Sequence, residues 1–391
     1  MKKIVNKTLI LLTILFIGKS YAYREVLPKQ FDTAALQTSF ESKKPYNRQT
    51  VKIALLLDTS NSMDGLINQA KSQLWDIVNQ FAFARCGDKS RPELQIALYQ
   101  YGNDDLSAQE GYIQQVLGFS SDLDKISEKL FSLTTNGGEE YCGQVIHKSL
   151  KQLDWGKNPD DLKMIFIAGN EPFTQGSKNF RESAVNAKEK DLIINTIFCG
   201  NYSEGVNTRW QEGAMLTGGE YMAIDHNRQV VHIKTPYDDI IIKLNARLNN
   251  TYVSYGPKGA SRRALQEVQD QEAMALQEVV VVKRAVSKSS AYYNNAEWDL
   301  VDASSEDDFD LKKYKKEMLP QTLRGKSEAE IEKFLAEKKA ERNSIQKEIQ
   351  EANAKREEYI ARQQKSETGE LEKAMLQAIK KQASNKNLYW E

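Results

Sequence analysis

Ile53-Ala54-Leu55-Leu56-Leu57-Asp58-Thr59-Ser60-Asn61-Ser62-Met63-Asp64-Gly65 changes character abruptly within a short stretch. Five apolar residues in a row, with no polar alternation, are what a strand shows when both of its faces are covered, as at the centre of a parallel sheet. Asp58, Ser60 and Ser62 then stand at alternate positions. Beyond Gly65 the apolar residues Leu66, Ile67, Leu74, Trp75, Ile77, Val78 and Phe81 recur at the spacing of one helix face. The stretch reads as a buried strand, a sharp turn and a helix.

The turn carries chemistry. A carboxylate and two hydroxyls on alternate residues of a loop can converge on one point. All are hard oxygen donors, suited to Mg²⁺, Ca²⁺ or Mn²⁺ rather than to softer metals. The carboxyl end of a strand is also where open α/β sheets place their ligands. The D-x-S-x-S pattern, flanked by a buried strand and an amphipathic helix, resembles the metal-ion-dependent adhesion site of von Willebrand factor type A domains.

The surrounding chain fits that resemblance. Strand patterns at 51–57, 94–101, 112–117, 164–168, 192–199 and 220–224 alternate with helix patterns at 66–84, 123–133, 141–153, 180–190, 210–216 and 237–248. Such alternation predicts an α/β fold with a doubly wound, mostly parallel sheet over residues 50–255. The stretches Gly169-Asn170-Glu171-Pro172-Phe173 and Tyr101-Gly102-Asn103-Asp104 look like those of bacterial exported members of the family.

The family completes its metal site with two further loops, and here both depart from its pattern. Its threonine falls on Glu139, after Gly137-Gly138, with Glu140 next and Thr134 and Thr135 just before. Its second aspartate falls on Gly169, where Asn170 or Glu171 could stand in. The resemblance therefore implies a divergent metal site of Asp58, Ser60, Ser62, Glu139 and Asn170. The cation it implies is magnesium first, with calcium or manganese as alternatives. It also implies a protein partner whose Asp or Glu carboxylate fills the open coordination position. If the site holds no metal, the same Asp and Ser residues are good helix caps.

Residues 1–22 read as a signal peptide. Lys2, Lys3 and Lys7 precede an apolar run over 8–18, too short for a membrane span, and Ser20-Tyr21-Ala22 supplies small residues for cleavage. The expectation is an exported protein, periplasmic or at the cell surface, with no membrane span after cleavage. Residues 23–49 read as a polar leader.

Formal net charge is zero, so nothing in the composition calls for nucleic acid. The three cysteines, Cys86, Cys142 and Cys199, are too few for a disulfide scaffold. On the expected fold Cys142 and Cys199 both lie towards the metal end of the sheet, where a bridge between them is possible. No HExxH, Cys-x-x-Cys or assignable Ser-His-Asp set accompanies His147, His226 and His232. The reading is a binding protein and not an enzyme. A hydrolase built on Asp58, Glu139, Glu140 and Glu171 is the less favoured alternative.

Beyond Gly256-Pro257 the composition becomes charged and helical, and residues 256–391 read as a separate region, partly like a coiled coil. An apolar face runs through Leu265, Val268, Ala273, Leu276 and Val279–Val282. The patch Tyr292, Tyr293, Trp298, Leu300 and Val301 needs a surface to cover it. Ser327-Glu-Ala-Glu330 is a capping box, and it opens a helix of about 35 residues. Lys338, Arg342 and Arg356 interrupt the apolar repeat of that helix. The pattern favours a solvated stalk or hairpin, with an oligomerising coil second. An alternative function follows, in which a metal-free A-type domain is a scaffold and the tail carries the interactions.

Overall fold

A computed structural model describes residues 49–228, 232–363 and 369–391. The signal-peptide reading, and all of the leader except Gln49, lie outside them.

The described chain is built on β1 (Thr50–Asp58). Its neighbours are β3 (Glu93–Tyr101) and β5 (Leu162–Gly169), both parallel to it. The sheet continues outward through β4 (Ile113–Ser120) on one side, and through β6 (Ile193–Cys199) and β7 (Tyr221–Ile224) on the other, in the order β4-β3-β1-β5-β6-β7. Only β4 runs antiparallel, so the doubly wound, mostly parallel sheet is as expected.

The continuous apolar run of β1 still obeys the period of two. Val51, Ile53, Leu55 and Leu57 join the core on one face, and Ala54 and Leu56 join the core on the other. The second face is covered by α3 (Cys142–Gln152), α4 (Phe180–Glu189) and α6 (Trp210–Met215), with the short α5 (Tyr202–Asn207) beside α6. Trp210, fully buried, packs edge-on against Phe173 and Phe198 there.

The first face is covered by α1 (Asp64–Phe81), α2 (Leu123–Phe131) and α7 (Asp238–Asn249), and then by the C-terminal half of the chain. α8 (Gly259–Leu276) lies on α2. α9 (Glu278–Lys288) lies on α1 and α7 and is buried from Val279 to Lys288. Val279–Val282 cover a full turn of α9 and join the main core, and its buried Lys283, Arg284 and Lys288 are paired with Asp76, Asp124 and Asp270.

The long helix α11 (Glu328–Arg362) packs on α7, α9 and the short α10 (Leu300–Ala303). α12 (Glu370–Ala383) lies against α1 and the face of β5, β6 and β7. β8 (Leu388–Trp390) then pairs antiparallel with β2 (Ala84–Cys86), the segment that follows α1. Arg48–Glu391 is one compact unit, so the expected boundary at residue 256 falls inside it.

The stalk reading is corrected here, and the physical reason is the charges that break the repeat. Arg342 is buried, donating to Asp299 at 2.6 Å and to the Thr251 carbonyl at 2.9 Å, with its guanidinium over the Tyr252 ring. Arg356 is buried against Asp238 at 2.9 Å. Both arginines read as interruptions of a coiled coil, yet they are internal contacts. The apolar stripe of α11 is used within the chain as well, Ile331 and Leu335 in a small satellite core and Ile345, Ile349 and Ala352 in the main one. The aromatic patch is covered by the sheet domain, as its composition required. Tyr293 donates to Asp124 at 2.6 Å, and Tyr292 donates to the Pro92 carbonyl. Among the described residues no helix is long and apolar enough to cross a membrane.

Candidate metal centre

The sheet register sets the site. β1 ends opposite Tyr101 of β3, and its Leu57 pairs with Ala168, which places Asp58 beside Gly169 at the end of β5. Gly169 and Gly102 make room for the carboxylate. A Cβ on Gly102 would lie 2.9 Å from Asp58 Oδ1, and one on Gly169 would lie 2.9 Å from Oδ2. Asp58 is fully buried in this cradle. Its Oδ1 accepts from the Ser60 amide at 2.8 Å, while its Oδ2 is buried with no hydrogen-bond partner.

The hydroxyls turn towards the same end. Residues 61–63 form a single 3₁₀ turn before α1. The turn brings Ser60 Oγ within 3.2 Å of Ser62 Oγ. The Asn170 side chain completes the row, with its Nδ2 3.2 Å and its Oδ1 3.4 Å from Ser62 Oγ. Four of the five expected ligands, Asp58, Ser60, Ser62 and Asn170, therefore lie together across two loops.

Glu139 does not join them. It is exposed and accepts a hydrogen bond from the Tyr141 hydroxyl at 3.3 Å. Its neighbour Glu140 is the buried one. The cause is the backbone before it: Gly137 and Gly138 both have positive φ, +34° and +130°. A Cβ on Gly138 would overlap the Gly102 carbonyl, so the loop presses flat on β3's exit. The Glu140 Cγ then lies against Gly102, on the side where Asp58 sits. Thr135 is committed elsewhere, donating to Asp64 at the start of α1. Asp105 is a loop tie that accepts from Asn136 at 2.9 Å.

The electrostatics of the site are only partly relieved. Burial pushes the Asp58 carboxyl up to about 7; hydrogen bonds from Ser60 oppose the shift, and the charge of Glu171 adds to it. Burial, followed by the charges of Asp58 and Glu171, pushes Glu140 up to about 8. Among the described residues no three His, Cys, Asp or Glu side chains gather closely enough to hold a metal by themselves. The donor set is mixed instead: carboxylate, hydroxyl and amide oxygen. That set, the orphaned Asp58 Oδ2 and the cradle at Gly102 and Gly169 fit a hard cation. Asp58, Ser60, Ser62, Asn170 and Glu140 are the residues that would hold it.

The comparison with known proteins covers part of the sheet domain. Residues 52–208 match the von Willebrand factor type A domain. None of the curated proteins matches the chain. Among solved structures it is similar to proximal thread matrix protein 1 from the mussel byssus, with a zinc-occupied MIDAS motif. The identity is 14%, with 46% of this chain and 43% of that one covered, at a TM-score of 0.36. It is also similar to the SpRpn10 VWA domain, at 18% identity over 45% of this chain and 88% of that one, TM-score 0.34. A third is the conserved hypothetical protein BatB from Bacteroides thetaiotaomicron, at 15% identity over 45% and 90%, TM-score 0.34. This chain thus spans less than half the length of the mussel protein.

The Cys142–Cys199 bridge held possible above does not form. None of the three cysteines is in a disulfide, and all are buried. Cys142 opens α3 with its Sγ 3.9 Å from the Tyr101 hydroxyl, and burial holds the thiols of Cys142 and Cys199 above their ordinary range. Sequence reasoning also left His226 unplaced. Its Nε2 lies 3.1 Å from the Ser62 carbonyl oxygen, at the rim of the site, and its Nδ1 is buried without a partner. The only signal in the sequence was its position just after a strand end.

Proposed function

We propose that this chain is an exported VWA-domain protein of the bacterial type, periplasmic or at the cell surface, that binds a protein partner with the help of a divalent cation. The observation that carries the reading is the buried, unpartnered Asp58 Oδ2 at the head of a row of oxygen donors. Oδ2 is buried without a hydrogen-bond partner, and burying an ionised oxygen unpaired is costly. A hard cation held there would supply the missing charge and offer a positive centre to an Asp or Glu oxygen of the partner. VWA domains generally mediate protein–protein interactions, and the exported form follows the reading of residues 1–22 as a signal peptide. The role is that of a binding module, not an enzyme.

The test uses the full chain, stripped with EDTA and melted with added Mg²⁺, Mn²⁺ or Ca²⁺, alongside Asp58→Ala. A ligand that binds only the folded state at 100 times its Kd stabilises by about 2.7 kcal/mol. The wild type should melt higher with at least one cation and Asp58→Ala with none. No response of the wild type at millimolar cation would remove the metal from the reading and leave the metal-free scaffold. Deleting residues 257–391 cannot separate these cases, because α9 and α12 are part of the core.

A further inference from the structure

We infer that the C-terminal helix α12 holds the rim of this site: Glu370 clamps the loop 225–228, the loop bears on the turn that carries Ser60 and Ser62, and the seating of α12 is thereby coupled to binding at the site. The inference rests on the reading above for what binds there. The loop and α12 both lie outside residues 52–208, so the clamp belongs to the part of the chain beyond the matched segment.

The loop leaves β7 as a closed turn, with the Arg228 amide donating to the Asp225 carbonyl at 3.1 Å. It presses backbone to backbone on the start of α1: a Cβ on Gly65 would lie 2.4 Å from the His226 carbonyl oxygen. Gly65 follows Ser62 by three positions, so the loop and the 3₁₀ turn cannot move independently. A buried side chain fixes their contact. Gln69 of α1 donates through Nε2 to the carbonyls of Asp225, His226 and Arg228, at 3.0, 3.0 and 3.3 Å.

α12 grips the same loop from its other side. Glu370, the first residue of the helix, accepts from the Asp225 amide on one carboxylate oxygen and from the Arg228 guanidinium on the other, both at 2.7 Å. The helix end is itself seated on α1. The Glu372 amide donates to Gln73 Oε1 at 2.6 Å, and a Cβ on Gly369 would overlap the Gln73 side chain. Gln73 is buried and stands one turn from Gln69, on the same face of α1. One glutamine holds the loop, the next holds the helix, and Glu370 joins the two.

The seat of α12 is neither dry nor fully packed. A small apolar cavity of about 20 Å³ lies between Leu371 and Met375 of the helix and Leu57, Phe166 and Ile197 of the sheet domain. Glu372 is buried in the seat, and Asn195 and Gln382 meet there as a buried amide pair, Asn195 Nδ2 to Gln382 Oε1 at 3.1 Å. Atoms lining a void lose packing contacts, and buried polar groups find new partners in water. Unseating α12 therefore costs less than unseating an apolar helix of the same length. Whatever stabilises the rim then stabilises the seat by the same factor, as linkage requires.

The test is hydrogen exchange read by mass spectrometry on the full chain stripped with EDTA. Wild type, Glu370→Ala, Glu370→Gln and Lys381→Ala are compared. Lys381 is on the same helix, and its pair, with Glu220 at 2.6 Å, leaves the loop untouched. Glu370→Ala should speed exchange at least about fivefold in peptides covering 225–228 and 60–66, and Lys381→Ala should leave both within about twofold. Glu370→Gln keeps an acceptor for the Asp225 amide but loses the charge facing Arg228, and should fall between. Faster exchange in 225–228 with 60–66 unchanged overturns the coupling. If Glu370→Ala speeds exchange along the whole chain, Glu370→Gln decides, and wild-type exchange of its 60–66 peptide overturns the inference. MnCl₂ is then added. It should slow exchange in both 60–66 and 370–383 of the wild type, and calorimetry should find it bound at least about fivefold more weakly by Glu370→Ala. Binding of Mn²⁺ with exchange in 370–383 unchanged overturns the coupling. A wild type that binds no Mn²⁺ overturns the cation reading alone, because the metal-free comparison has already decided the clamp.

Discussion

Replacing Arg342 by alanine tests whether the C-terminal half is part of the folded body. Arg342 is 3% exposed, and its partners Asp299 and Asp302 lie 2.6 and 2.5 Å away. The substitution leaves Asp299, which is fully buried, without its cation. Breaking a buried pair from one side costs about 3–5 kcal/mol, because a buried charge is left behind. Unfolding entropy is about 2.1 cal/mol/K per residue, so over the roughly 340 residues of the unit the expected fall in Tm is about 4–7 °C. Lys347→Ala is the control on the same helix. Its pair with Glu351 is 79% and 59% exposed, and such pairs contribute less than about 0.5 kcal/mol, or under about 1 °C here.

The Arg342→Ala deficit also has a pH signature. Burial already holds the Asp302 carboxyl above its ordinary value, against the pull of Arg342, and the substitution removes that pull. A carboxyl whose folded pKa lies above its unfolded one stabilises fully below the unfolded value and loses that stability as pH rises. The deficit should be small near pH 4 and largest at neutral pH and above. Differential scanning calorimetry over that range decides the matter. An Arg342→Ala protein that melts within a degree of Lys347→Ala would show that α11 is a solvated helix after all.

Two further outcomes are expected. Burial, then the neighbouring Asp76 charge, pushes Glu372 of α12 up to about 8, with Lys283 opposing. The wild type should lose stability as pH rises from about 4.3, the unfolded glutamate value, towards 8, and Glu372→Gln should flatten that slope; an unchanged slope in melting curves would assign it to other groups. The buried thiols should be silent to Ellman's reagent in the native protein, and all three should react in denaturant without reductant. A single reactive thiol there would restore the Cys142–Cys199 bridge.

The parts of this protein legible in the sequence are those that local pattern dictates. β1 announces itself because both of its faces are covered, and the Asp58-Ser60-Ser62 row follows from a turn of fixed length. The 35-residue α11 was visible from its capping box, which forms as read. What escaped depends on distant partners or on single backbone angles. Glu139 and Glu140 are adjacent and chemically identical. Only the positive φ of Gly137 and Gly138 decides which one turns inward, and no pattern encodes it. Arg342 and Arg356 look like defects in a helix repeat until Asp299 and Asp238 are brought beside them from elsewhere in the chain. β2 and β8 are three residues each and exist as strands only because they meet. The fold of the first half was thus readable, while the destination of the second half was not.

The placement of α12 and β8 has a kinetic side. The Glu372 amide bonds Gln73 across 299 positions, and the Trp390 indole bonds the Gln80 carbonyl across 310. The apolar flank of α1 and part of the face of β5, β6 and β7 therefore stay wet until residues 370–390 have been made and have found them. Contacts of such separation form late and slowly, and a chain waiting for them exposes sticky surface meanwhile. A sheet covered in this way stays pliable while residues 370–390 are unpacked and becomes rigid only once they have slid home.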